Sequence, residues 1–146
     1  MTTPCQAESM DDLRLESLAP TLEDYLELRR ASGLTPKRPD QGAPALTNSW
    51  AWRRIVDAEG RAVAMGRVVG DGGWYFLVAD MATLPGFQRR GLGRRILEDL
   101  LAEIRAKAPE GAYVTLLADP PGQALYRSLG FSEPQNGSIT MHQLLT

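Results

Sequence analysis

Residues 13–18 (LRLESL) alternate apolar and polar side chains, the period-two pattern of a strand with one wet face. Thr21 follows as a helix N-cap, with Asp24 in the capping-box position. Leu22, Tyr25, Leu26 and Leu28 then recur at helical spacing until Gly33 ends the stretch. Residues 34–48 (LTPKRPDQGAPALTN) lose all periodicity and predict a loop, with at most a short helix over 44–47. A loop of that length inside a compact domain is often functional.

Three strands in hairpin succession come next, over 50–57, 61–69 and 74–83. Glycine-bearing turns at 57–60 and 70–73 separate them. The third, WYFLVADMAT, is apolar almost throughout, which predicts a central strand covered on both faces. Residues 91–107 form the strongest helix: Ile96, Leu97, Leu100, Leu101 and Ile104 make one stripe, with Arg95, Asp99, Glu103 and Lys107 off it. A strand over 113–118, a short helix closing at Gly130, a return strand from Phe131 and a last strand over 139–145 complete the pattern. This order predicts an α/β (α+β) fold: a mixed, mostly antiparallel sheet with helices on both faces and one parallel crossover.

Composition narrows the class. With 146 residues the chain is one domain, expected over 11–146 behind an extended tail at 1–10. Sixteen basic and eighteen acidic side chains leave a net charge of -2, which does not suggest a general nucleic-acid binder. Cys5 is the single cysteine and His142 the single histidine, so no zinc cluster is expected. No apolar run is long enough to cross a bilayer, and the first ten residues lack the pattern of a secretion signal. The expected location is cytoplasmic, with no membrane or nucleic-acid partner.

The chemistry concentrates in Gln88-Arg89-Arg90-Gly91-Leu92-Gly93, between an apolar strand and the long helix. A helix start offers backbone N–H groups without intrahelical partners and the positive end of the dipole, a site for a phosphate or pyrophosphate. Gly91 and Gly93 leave the backbone approachable, and Arg89, Arg90, Arg94 and Arg95 surround it with charge. A dinucleotide fingerprint fails for want of a third glycine, and no P-loop is present. A capped turn with a basic rim would look the same.

Joined to residues 80–87 before it and to Ala124-Leu125-Tyr126-Arg127-Ser128-Leu129-Gly130-Phe131 after it, this segment resembles motifs A and B of the GNAT N-acetyltransferases. The resemblance covers residues 50–135 well and the N-terminal unit more loosely. Residues 48–80 also look like bacterial and plastid members near the arylalkylamine (serotonin-type) enzymes. Membership would imply acetyl transfer from acetyl-CoA to the primary amine of a small molecule or peptide, without a metal and without a covalent enzyme intermediate. A homodimer is compatible with it, as is a binding module that retains the coenzyme site without turnover.

The resemblance also assigns residues. A bulge would splay the strand over 74–83 from the strand over 113–118, so that the pantetheine arm lies along main-chain groups of Met81, Ala82 and Thr83. Gln88, Arg89, Arg90, Gly91, Leu92, Gly93 and Arg94 would hold the pyrophosphate. Tyr126 falls on the family tyrosine that protonates the departing thiolate; the alternative is the buried face of a short helix. Its ordinary pKa of about 10 exceeds the roughly 8.5 of a thiol, so it would be protonated at neutral pH. Asp119 stands where many members have asparagine, which leaves that coenzyme contact in doubt. Asp80, the lone charge in an apolar strand, is the candidate base for the amine; the alternative is a structural ion pair, with Arg54 in its cross-strand row. Trp50, Trp52, Trp74 and Tyr75 are either an aromatic acceptor pocket or core.

Overall fold

The computed structural model describes residues 12–146; the expected tail and Cys5 lie outside the described residues. Five strands form one sheet in the order β1-β2-β3-β4-β5. These are β1 (Arg14–Glu16), β2 (Ala51–Val56), β3 (Ala62–Gly70), β4 (Tyr75–Thr83) and β5 (Tyr113–Thr115). The first four are antiparallel neighbours, and β4 runs parallel to β5. That is the predicted mixed sheet with its single parallel crossover.

Helix α1 (Leu22–Ala31) starts as its sequence dictates, with the Thr21 hydroxyl accepting from Asp24 N at 3.1 Å. Asp24 does not complete a capping box. Its carboxylate reaches across to the backbone N–H of Ala62 and ties the helix to β3. Helix α2 (Pro39–Asn48) takes up most of the predicted loop, extending the short helix allowed over 44–47 toward its N-terminus. Its proline at the first turn needs no N–H, and Gly42 lets its backbone settle against Leu22 and Tyr25, so tertiary contact overrides poor propensity.

Helix α3 (Leu92–Lys107) buries the predicted stripe, with Leu92 added to it. Opposite faces of the sheet thus carry separate cores. α3 covers Ile55, Val63, Val68, Phe76 and Val78, while Tyr25 and Leu28 of α1 pack on Trp52, Val56 and Met65. Buried Arg53 locks β2 to α3 through Asp99 (2.5 Å) and Glu103 (2.6 Å). Burial opposes its charge, but the two carboxylates outweigh that and hold its pKa above the ordinary value.

Two expectations fail at the edge of the sheet. The start of β4 is not covered on both faces: Tyr75 and Leu77 are exposed on one side while Phe76 and Val78 are buried on the other. Residues 131–134 and 138–146 form no strand. Pro134 has no N–H to give a ladder, and the apolar positions 139, 141, 144 and 145 are almost fully exposed. His142 is exposed within that segment.

Candidate active site

The site begins with a register error in β4. Met65 pairs with Ala82 but Arg67 pairs with Ala79, so Gly66 alone faces both Asp80 and Met81. Asp80 takes a positive φ of 54°, the left-handed region that a non-glycine side chain enters only when neighbours compel it. The neighbours are visible. Its side chain is 4% exposed and accepts from Arg29, from Arg67 Nε at 2.6 Å and from the Tyr25 hydroxyl at 2.9 Å. Arg29 is itself held by the Thr35 carbonyl, and Arg67 by Ser49 Oγ. Burial, and then the Asp80 charge, push the Tyr25 phenol above its ordinary pKa, so it stays a donor.

The bulge has the consequence a bulge should have: the strand bends away from its neighbour. β4 and β5 stay paired only from Tyr75↔Tyr113 to Leu77↔Thr115. Beyond Leu77 the strands part, and a cavity of about 260 Å³ opens between Leu77–Met81 on one side and Leu116, Leu117, Asp119 and Tyr126 on the other. Main-chain groups of β4 along this gap have no strand partner on the β5 side, so an extended chain can add there as a strand would.

At the end of β4 the chain makes a 3-10 turn, Pro85–Phe87, and Gln88 folds back to donate to the Thr83 carbonyl at 3.0 Å. Arg89 (φ 65°) and Gly91 (φ 78°) are both left-handed, which turns successive amides toward one side. The first intrahelical bond of α3 runs from Arg95 N to Gly91 O, so the amides of Leu92, Gly93 and Arg94 have no partner within the helix. Among the described residues no side chain caps them, and nothing lies within 4 Å of the place a Gly91 Cβ would occupy. The mouth is therefore open to an anion. Arg90 lies over the Phe87 ring, while Arg94 reaches Glu98 and Ser128 Oγ (2.7 Å), bracing α3 against the next helix.

That helix, α4 (Gln123–Ser128), follows a 3-10 turn at Pro120–Gly122 and ends at Gly130 (φ 95°). It brings Tyr126 to the cleft, with its ring edge-on to Phe131 at 6.2 Å. Burial and then the nearby Asp119 charge push its phenol above the ordinary value, which keeps it protonated. Gly122 lies under the ring: a Cβ there would stand 2.7 Å from Tyr126 Cε2.

The predicted residues thus fall in two places. Met81, Asp119 and Tyr126 line the cleft, with Ala82 and Thr83 continuing the strand beyond it; Arg89 to Gly93 form the helix mouth. Asp119 sits at the N-cap of the 3-10 turn, but its side chain makes no cap hydrogen bond. Arg54 is not in the row of Asp80. It lies opposite Met65 and pairs with Glu16 at 3.1 Å. The aromatic pocket does not form either: Trp52 packs on Tyr25, Trp50 on Phe76, and Trp74 on Tyr75 at the exposed end of the sheet. Missed entirely were Arg29, Arg67 and Tyr25. A lone aspartate in an apolar strand signals that some cation must answer it, but not which one.

An open sheet split at a bulge beside an anion-ready helix mouth defines an acyltransferase architecture. Residues 50–133, more than half the chain, match the model of the acetyltransferase (GNAT) domain. The chain is 36% identical over 83 residues to serotonin N-acetyltransferase 2, chloroplastic, of Oryza sativa, covering 57% of this chain and 40% of that protein. It is 42% identical over 64 residues to the [ribosomal protein bS18]-alanine N-acetyltransferase of Salmonella typhimurium, covering 39% of this chain and 43% of that one. A Staphylococcus aureus protein of unknown function, described as a probable acetyltransferase, superposes with a TM-score of 0.85 at 33% identity, covering 91% of this chain and 99% of the other. The protein belongs to the GNAT acetyltransferase family. It spans less than half the length of the two curated relatives named.

Proposed function

We propose that the protein transfers the acetyl group of acetyl-CoA directly to a primary amine. The observation that supports this best is the convergence of the two halves of the site. The helix mouth opens at the end of β4, and the unpaired edge of β4 leads from it to the cleft that holds Tyr126. Amides of Leu92, Gly93 and Arg94, with Arg89 and Arg90 around them, bind the diphosphate. Met81, Ala82 and Thr83 hold the pantetheine arm by their main chains, with an N–H near Met81 or Ala82 polarising the thioester carbonyl.

The amine lone pair attacks the thioester carbon, the C–S bond breaks, and the sulfur takes a proton from Tyr126. The amine gives up its own proton on the way, to a base or through water. Asp80 is poorly free for that role, since three donors already occupy its carboxylate. We assign it to holding the bulge; water in the cleft takes the amine's proton and returns one to the Tyr126 phenolate. The acceptor is a small-molecule or peptide amine; both kinds of acceptor occur among the relatives' names.

Titrating acetyl-CoA calorimetrically and following thiol release over an amine panel tests the proposal. Tyr126→Phe is expected to lower kcat about 10²-fold while acetyl-CoA affinity stays within about twofold. Tight binding with no release for any amine would instead establish a binding module, and unchanged turnover in the variant would remove Tyr126 from the chemistry.

A further inference from the structure

Among the described residues no hydrogen bond holds the Tyr126 hydroxyl; burial and the Asp119 charge are what act on it. The phenol is therefore placed by the backbone of α4 and by the packing of its ring on Gly122 and Phe131. A helix of six residues is too short to keep its shape and position unaided. Whatever ties α4 to the rest of the molecule thus decides where the phenol stands.

Two ties run from α4 to the first turn of α3, and both leave α4 close to Tyr126 in the chain. Gly93 has no side chain, and Leu125 Cδ2 stands 3.7 Å from the place its Cβ would occupy. Arg94 donates from Nη2 to Ser128 Oγ at 2.7 Å, the only side-chain hydrogen bond between the two helices among the described residues. Ser128 Oγ in turn donates to the Leu125 carbonyl at 2.6 Å, so its one proton is committed and its lone pairs face the guanidinium. Glu98, one turn along α3, steadies the same guanidinium through Nη1 at 3.3 Å. The sequence counts Arg94 with the charge around the helix mouth, yet its side chain is directed at α4. Its backbone N–H is meanwhile one of the three left open to an anion. One residue touches both halves of the site.

We propose that Arg94 and Ser128 are positioning residues for Tyr126: their hydrogen bond docks α4 on the first turn of α3 and sets the phenol relative to a diphosphate held by that same turn. This rests on the acetyl transfer proposed above. The span from diphosphate to thioester is fixed by the coenzyme's own length. A phenol referenced to the diphosphate's helix turn therefore meets the sulfur without relying on β5, whose ladder to β4 covers three residues. Ser128→Ala removes only the hydroxyl. Alanine is the better helix former, and the lost bond to Leu125 is one that competes with the helix, so α4 itself does not weaken.

Ser128→Ala is expected to lower kcat about fivefold, with acetyl-CoA affinity within about twofold and the melting temperature unmoved. Ser128→Thr keeps the acceptor oxygen and is expected to restore kcat. In a Tyr126→Phe background, Ser128→Ala is expected to have no further effect, which a purely structural hydroxyl would not show. A readout free of turnover is the alkaline titration of the Tyr126 phenol, taken as the ultraviolet difference between each protein and its Tyr126→Phe counterpart. Burial holds that pKa up, so a loosened α4 is expected to bring the midpoint down toward the ordinary value in Ser128→Ala and not in Ser128→Thr. If no amine gives thiol release, the acetyl-transfer reading falls and the titration alone decides. An unmoved midpoint, an unchanged kcat in a parent that turns over, or an equal loss of kcat with Tyr126 absent would each overturn the proposal.

Discussion

The two walls of the cleft are built to different standards. The β4 wall is overdetermined: it pairs with β3 along most of its length, its bulge is pinned by Arg29, Arg67 and Tyr25, and helices pack on both faces. The β5 wall has a three-residue ladder, a short helix and a largely exposed tail. Yet both walls read alike in sequence, as apolar runs of similar composition. On the proposed mechanism, the difference teaches that one fixed side suffices to hold the acyl donor, and the other side only has to deliver the Tyr126 phenol.

If that contrast is right, lesions in the β4 wall appear as lost stability and lesions in the β5 wall as lost turnover. The largest effect is expected for Asp80→Asn, which leaves two part-buried guanidinium groups facing a neutral amide. A loss of about 3 kcal/mol in urea denaturation is expected. A variant as stable as the parent, with a displaced pH–rate profile, would instead restore Asp80 as the base. Gly66→Val comes next. A Cβ there meets Met81 Sδ first and then Ile96 Cγ2 at 2.8 Å, inside the seam under the bulge. About 2 kcal/mol of destabilisation is expected, and a change under about 0.5 would mean the seam is loose.

On the β5 wall, Gly122→Ala pushes the Tyr126 ring aside. Roughly tenfold lower kcat is expected, with the melting temperature almost unmoved. A large fall in melting temperature would erase the distinction between the walls. The smallest effect concerns pH. Tyr126 has a raised folded pKa, so the neutral phenol is favoured and its contribution is present below the unfolded value and lost as pH rises through the folded one. Burial is the larger cause and Asp119 the second, so Asp119→Asn is expected to draw the alkaline limb of the kcat profile down slightly. An upward shift would show that Asp119 acts in some other way.

Much of this was legible beforehand because it is local. The stripe of α3, its start at the Gly91 corner of the chain and the Thr21 cap follow from spacing and from short-range hydrogen bonding, and the structure reproduces them. Helix α2 was illegible because Pro39, Gly42 and Pro44 argue against a helix until Tyr25 offers a surface for it to lie on. The partner of Asp80 was misread for a related reason. Register across a sheet counts residues from the turns, and Arg54 falls opposite Met65, whose own partner is Ala82, while Arg67, next to the residue that faces the bulge, reaches Asp80.

By itself, then, the sequence determined the elements whose free energy is settled within a few turns: helix stripes, caps, glycine corners and the amide-lined mouth of α3. Only the tertiary structure decided where β4 bulges, which cations answer Asp80, and that residues 138–146 join no strand among the described residues. Those outcomes depend on groups far apart in the chain competing for the same space and charge, and no local window contains both competitors.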